Sequence, residues 1–247
     1  MKFKNKSLPY SVLLLGMMVV LTNNCKKPDP TPPAAHETGS VTDIDHNAYK
    51  TIRIGNQWWM AENLKVKKYR SGDPIPQVQS EASWKDSLSG AYCIYDNNPA
   101  APGLLYNWYA VNDGRNIAPA GWHVPGDEEW KELEKFLGMS QADADNVNWR
   151  GTHEGEKLKQ EAPNGWTNYD NVWATNESGF TALAGGCRLF NGTWGDPGLF
   201  ATGFWWSSTS NSANNQAWYR YLDYKNANVF RFYGSKNYGF SVRCVKD

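Results

Sequence analysis

The sequence predicts an α+β domain of twisted antiparallel sheets, two short helices and long ordered loops. Three observations carry this. Side chains alternate with a period of two near the start of the folded part and again over the last stretch of the chain, the pattern of half-buried strands. Only two segments between them repeat at helical spacing. The chain also holds 13 Trp, 13 Tyr and 9 Phe. Buried rings hide about 150–250 Å² each, so they can build a core with little helix. They are also too numerous to hide completely, so some are expected to line a surface.

The first residues stand apart from that domain. Lys2, Lys4 and Lys6 precede an apolar run from Val12 to Leu21, and Cys25 follows. A membrane-spanning helix needs about 20 apolar residues and a secretory h-region about 7–15, so residues 1–24 read as a cleaved export signal. Leu21-Thr22-Asn23-Asn24-Cys25 resembles a lipobox, with Asn24 standing where that pattern has a small residue. Cys25 is therefore the expected lipidation site. It would attach the protein to a membrane through an N-terminal lipid, each buried CH₂ contributing ~0.8 kcal/mol. The expected address is the outer membrane, at the cell surface or on the periplasmic face. Residues 25–42 include Lys26-Lys27-Pro28-Asp29-Pro30-Thr31-Pro32-Pro33 and read as an extended tether. The folded part is expected over 43–247. Its length fits one domain, with two small ones as the alternative.

Charge narrows the partners. The chain has 25 basic and 25 acidic side chains. Loss of Lys2, Lys4 and Lys6 with the signal leaves a slight excess of acid. No basic cluster follows the tether. Phosphate binding needs a concentrated cationic patch, so nucleic acid is not an expected partner. No second apolar run is long enough to span a bilayer.

Within the domain, Val41 to Ile54 alternates as a hairpin: Tyr49, Thr51 and Arg53 face one way, Lys50, Ile52 and Ile54 the other, with a turn at Asp45-His46-Asn47. Gly55-Asn56 turns the chain into Gln57-Trp58-Trp59-Met60. Residues 71–90, punctuated by Ser71-Gly72-Asp73-Pro74, read as loop. Two segments read as helix. In 103–112, Leu104, Trp108 and Val111 share a face; in 127–137, Trp130, Leu133 and Leu137 do, with Phe136 beside them. The second has Asp127, Glu128 and Glu129 in its first turn and Gly138 after its end, which suits the helix macrodipole and the C-cap. Residues 140–178 lack periodicity and read as long ordered loops. From Trp205 the strand pattern returns. Trp218, Arg220 and Leu222 alternate with Tyr219 and Tyr221, Val229, Arg231 and Tyr233 with Phe230 and Phe232, and Phe240, Val242 and Cys244 with Ser241 and Arg243. This predicts an antiparallel meander running to the end of the chain.

Several of these segments form a recognisable set: Ile54-Gly55-Asn56-Gln57-Trp58-Trp59-Met60-Ala61-Glu62-Asn63-Leu64, Leu105-Tyr106-Asn107-Trp108-Tyr109, Gly121-Trp122-His123-Val124-Pro125-Gly126-Asp127-Glu128-Glu129-Trp130, Thr175-Asn176-Glu177-Ser178-Gly179-Phe180, Trp205-Trp206-Ser207-Ser208-Thr209 and Tyr238-Gly239-Phe240-Ser241-Val242-Arg243-Cys244-Val245. In this order they resemble the Fibrobacter succinogenes major paralogous domain, typical of secreted and surface lipoproteins. That family is similar in turn to the C-type lectin-like fold, including the formylglycine-generating enzyme branch. The similarity lies in the 124–130 helix start, where Gly126 replaces a Thr cap, and in the 239–243 closing strand. The resemblance implies a C-type lectin-like α+β fold. Cys93 and Cys244 fall beside the matching motifs, so they are the disulfide pair it favours, with Cys187–Cys244 as the rival.

Candidate sites follow from residue types. Calcium-dependent lectins use Glu-Pro-Asn or Gln-Pro-Asp and Trp-Asn-Asp motifs, and none is present. Asp143, Asp145, Glu154 and Glu156 could supply some of the six to eight oxygens calcium wants, but no specific motif supports a metal or any other cofactor. Sugar could still bind without metal by stacking on exposed rings, and Trp149, Trp166, Trp173 and Trp194 lie in polar, loop-like surroundings. A formylglycine-type oxidase needs a pair of neighbouring cysteines, which Cys93, Cys187 and Cys244 do not supply. His36, His46, His123 and His153 show no metal-binding spacing, and His123, beside a helix start, reads as structural. The sequence thus points to a non-catalytic binding module for a glycan or a surface protein. The alternatives are a structural subunit of a fimbrial or envelope assembly, and a variable ligand-binding product of a diversity-generating retroelement. The last is suggested by the cluster Asn211, Asn214, Asn215, Asn226, Asn228 and Asn237, although Asn is equally a turn former.

Overall fold

The first hairpin begins earlier than composition suggests. β1 (Thr38–Thr42) pairs antiparallel with β2 (Ala48–Ile54), from Thr38 opposite Ile52 to Thr42 opposite Ala48. The computed structural model describes residues 36–161, 166–195, 198–212 and 215–247. The signal, Cys25 and the tether to residue 35 lie outside these, as does Asn214. Within them the tether does not reach residue 42 as expected. β1 is polar and nearly all exposed, so its side chains look like spacer, and backbone pairing alone makes it a strand. The intervening turn forms as predicted. The Asp43 carboxylate accepts from the N–H groups of Asp45 (2.9 Å) and Asn47 (3.0 Å) and from the Tyr49 hydroxyl (2.6 Å).

The Gly55 turn leads into β3 (Gln57–Met60), which pairs with β2. Gly55 has φ +60°, and a Cβ there would stand 2.9 Å from the Phe136 ring, so glycine is required on both counts. Inside the expected 71–90 loop lies α1 (Glu81–Lys85), capped by Ser80 and anchored by buried Trp84. The helix expected over 103–112 is mostly something else. β4 (Tyr92–Cys93) pairs with β5 (Leu105–Tyr106), and only α2 (Trp108–Val111) is helical. Asn107 stops the helix from starting sooner. Its side chain caps α2 by accepting the Ala110 N–H (3.1 Å) and also takes the Ala91 N–H (2.9 Å).

β6 (Trp122–His123) precedes α3 (Asp127–Phe136), which starts where predicted, ends one residue sooner and buries the predicted Trp130, Leu133 and Leu137, although Phe136 is 61% exposed. Gly126 has no capping side chain. Glu129 reaches back to its N–H (2.7 Å), and the Thr209 hydroxyl, far along the chain, accepts the Asp127 N–H (2.9 Å). The 140–178 region is not all loop: α4 (Gln141–Asp145), β7 (Asn148–Arg150) and α5 (Glu154–Leu158) lie in it, each too short to show a period.

β8 (Thr202–Asn211), β9 (Gln216–Asp223) and β10 (Val229–Ser235) form the expected meander, and β7 extends it to the order β7-β10-β9-β8. The meander does not continue to the chain's end. Phe240 bridges to Tyr106, and β11 (Val245–Lys246) pairs with β3 and β6, so the first and last strands share a sheet of order β1-β2-β3-β11-β6.

Between the meander and α3 lies a buried ionic cluster. Arg220 and Arg231 face each other on β9 and β10, on the side turned to the helix. Asp127 accepts from Arg220 (2.7 Å) and Arg231 (2.6 Å); Glu134 accepts from Arg220 (2.6 Å) and Arg150 (2.8 Å). Two further arginines, wholly buried, hold loops through carbonyl oxygens. Arg188 donates to Gly192, Val78 and Gln79 between the rings of Trp84 and Trp194. Arg243 donates to Phe180 and Thr181 carbonyls and to the Asn63 amide oxygen.

The cysteines do not pair. Cys93, Cys187 and Cys244 are buried free thiols, contrary to the Cys93–Cys244 bond and its rival. Cys93 sits in a small apolar cluster with Trp84 and Leu105, while Cys187 and Cys244 belong to the main one. Burial pushes the Cys93 and Cys187 thiols up to about 12.

Candidate functional site

Described residues on either side of 162–165, from Lys159 to Ala174, surround an open cavity of about 800 Å³ with Tyr224. Lys159, the residue just past the end of α5, forms part of its wall. It is 1% exposed; its Nζ donates to the Asn226 carbonyl (2.6 Å) and lies 5.2 Å from the Trp166 ring centre. Burial pulls its pKa down to about 8, against the opposing pull of Asp223 and Glu156. The Trp166 ring is fixed by its Nε1–H, which donates to the Ala182 carbonyl at 2.8 Å.

The facing wall is a turn. Val172 N–H donates to the Tyr169 carbonyl (3.2 Å), and Asn171 adopts φ +62°. The turn presents Tyr169, which meets Tyr224 edge to face at 5.6 Å. Trp173 follows. Its backbone N–H donates to Glu156 Oε1 at 2.7 Å, pinning the loop to α5, while 69% of the residue stays exposed. α5 can hold this loop because it sits tight against the β9–β10 turn: Glu156 N–H donates to the Ala227 carbonyl, and a Cβ on Gly155 would meet the carbonyls of Ala227 and Asn228. The cavity therefore offers indole and phenol rings, the amides of Asn168 and Asn171, and the carboxylates of Glu161 and Asp170. Rings can stack on apolar C–H faces, and amides and carboxylates can bond hydroxyls.

Of the tryptophans singled out in the sequence, the structure brings Trp166 and Trp173 together here. Trp149 lies on β7 against Tyr221 and Phe230 (both 5.2 Å), and Trp194 packs on Tyr95 (5.0 Å) and Arg188. Sequence reasoning missed Lys159, Tyr169 and Tyr224. The only signal was the short spacing of Trp166, Tyr169 and Trp173; Lys159 and Tyr224 arrive from other segments.

The acidic residues considered for calcium are engaged elsewhere. Asp145 accepts from Lys131 (2.8 Å) and Asp143 from the Ser140 hydroxyl (2.7 Å). Glu154 takes the Thr152 N–H (2.7 Å), and Glu156 binds His153 and the Trp173 N–H. Among the described residues no group of three or more His, Cys, Asp or Glu side chains is arranged to hold a metal ion. His123 joins Glu129 (2.8 Å) and Asp247 (2.6 Å), linking α3 to the chain's end. Asn226 is held by the Asp223 carboxylate (2.8 Å), and Asn237 donates to the Lys85 and Ser87 carbonyls, so both shape turns.

Fold and cavity define a class: a sheet-rich α+β domain whose loops close on an aromatic recess. The family model of the Fibrobacter succinogenes major domain matches residues 52–246, and the chain belongs to that family. No curated protein and no solved structure matches it.

Proposed function

We propose that this protein is a cell-envelope lipoprotein with a C-type lectin-like domain that binds a glycan, without catalysing a reaction, at the Lys159–Trp173 cavity. One observation carries the reading. Trp166 and Trp173, with Tyr169 and Tyr224, surround a single open recess that also holds amide and carboxylate groups. Aromatic walls with a few convergent polar groups suit small-molecule recognition. Attachment through a lipid on Cys25, at the outer membrane, follows from the lipobox-like segment. Among the described residues no helix is long and apolar enough to cross a membrane. A glycan array probed with the tagged domain (residues 36–247) tests the cavity. Binding that Trp173→Ala abolishes supports it, and absence of binding to any glycan rejects it. Unchanged palmitate labelling of Cys25→Ala would reject the lipid anchor.

A second reading, a structural subunit of an envelope assembly, draws on β1. That strand is exposed and lies at the edge of its sheet, so its outer backbone groups could pair with a neighbour's strand. Co-purification of envelope proteins that is lost when Ser40, whose N–H faces away from β2, is replaced by Pro would favour it.

A further inference from the structure

The four-stranded sheet has two chemically opposite faces. Arg150, Arg220 and Arg231 turn toward α3 and are neutralised there by Asp127 and Glu134. The other face is aromatic. Strand register sets Trp149 opposite Phe230, Phe230 opposite Tyr221, and Tyr221 opposite Phe204, one ring from each of the four strands. The ring centres lie 5.2, 5.7 and 4.4 Å apart in that order, and the Tyr221 and Phe204 planes are 15° from parallel. Strands about 4.8 Å apart make this row roughly 14 Å long.

Phe204 packs against the main core. Trp149, Tyr221 and Phe230 belong to none of the apolar clusters of the described residues; they pack on one another and each stays half-buried. Charge decides what such a row can take. Among the strand positions on this face the one charged side chain is Asp223, at the end of β9, and it accepts from the Tyr221 hydroxyl (3.1 Å). A row of rings without cations does not suit an anionic chain, and the linked Tyr221 hydroxyl and Asp223 carboxylate suit a partner that is itself neutral and rich in hydroxyls. Pyranose rings have that chemistry, with apolar C–H faces for stacking and hydroxyls at their edges.

We propose that the aromatic face of β7-β10-β9-β8, centred on Trp149, Phe230 and Tyr221, binds a neutral polysaccharide chain at a site separate from the cavity. The test is native affinity electrophoresis of the full chain in detergent. The gels contain hydroxyethylcellulose, mixed-linkage β-glucan or galactomannan, with acidic polygalacturonate for comparison. At least one neutral polysaccharide is expected to retard the protein, with little effect of added salt. Trp149→Ala and Phe230→Leu are each expected to weaken retardation about tenfold or more, or ~1.4 kcal/mol. Trp173→Ala, which alters the cavity, leaves it unchanged. Phe230→Leu keeps an apolar side chain, so the fold is retained while the flat ring is lost, and an unchanged thermal midpoint checks this. The proposal is overturned by no retardation in any neutral gel, by retardation only in polygalacturonate, or by retardation that Trp173→Ala removes and Phe230→Leu does not. It is also overturned if the face instead drives a dimer that Phe230→Leu disperses and no neutral polysaccharide binds.

Discussion

Replacing Glu134 by leucine tests the buried ionic cluster. The carboxylate is fully buried and accepts from Arg220 (2.6 Å) and Arg150 (2.8 Å). Its loss is unequal for the two arginines. Arg220 keeps Asp127, whereas Arg150 keeps only a contact from Nη1 to the Met139 sulfur (2.7 Å), and its Nε has no partner. Burial already lowers the Arg150 pKa, and Glu134 is the main group opposing that. Breaking a buried pair from one side costs about 3–5 kcal/mol, because a charge is left uncompensated. At about 2–4 °C per kcal/mol for a domain of this size, the thermal midpoint should fall by roughly 6–20 °C. Urea unfolding followed by circular dichroism gives the free energy directly. Adding Arg150→Met to Glu134→Leu removes the stranded charge and should recover about 1 kcal/mol or more. A loss below about 1 kcal/mol for Glu134→Leu, or no recovery in the double variant, would refute the assignment of Glu134 as the counter-charge.

Other outcomes follow from titrating groups and thiols. Burial alone would raise the Asp127 pKa, but Arg231 and Arg220 hold it down at about 2. Its stabilisation, ~2 kcal/mol, is complete above the ordinary carboxylate pKa near 4 and is lost as pH falls toward 2. Asp113, held at about 2 by Arg115, titrates in the same window. The Asp127→Asn variant is therefore the diagnostic one, and its unfolding free energy should vary less between pH 5 and pH 2 than the parent's. For His123, burial lowers the pKa but the bonds to Asp247 and Glu129 outweigh it, so the folded value lies above the ordinary 6.5. The stabilisation is present below that pH and lost as pH rises through the raised value. NMR titration should show the upward shift, and His123→Gln should flatten the midpoint against pH around neutrality. The buried thiols Cys93, Cys187 and Cys244 should resist a thiol reagent in the native protein and react after denaturation without reductant; a bonded pair among them would contradict this.

The sequence determined whatever depends on neighbours within a few positions. The Asp43 turn, the Gly55 turn, α3 and the alternation along β9 and β10 were all legible, because side-chain period and turn chemistry are local properties. Trp166 and Trp173 could be chosen for their polar, loop-like surroundings, but so could Trp149 and Trp194, and nothing local separates a ring in a recess from one packed on Arg188. Lys159 and Tyr224 gave no signal because they reach the cavity from α5 and the end of β9. Only the tertiary structure decided what covers each side of the meander. Arginine alternating with aromatic residues ordinarily suggests charge outward, but α3 places Asp127 and Glu134 where they neutralise Arg150, Arg220 and Arg231. The rings of Trp149, Tyr221 and Phe230 stay half-buried on the opposite face. It also fell to the tertiary structure to return β11 to the first sheet and to bring the Thr209 hydroxyl to the uncapped start of α3. These contacts join residues far apart in sequence, and short-range periodicity carries no record of them.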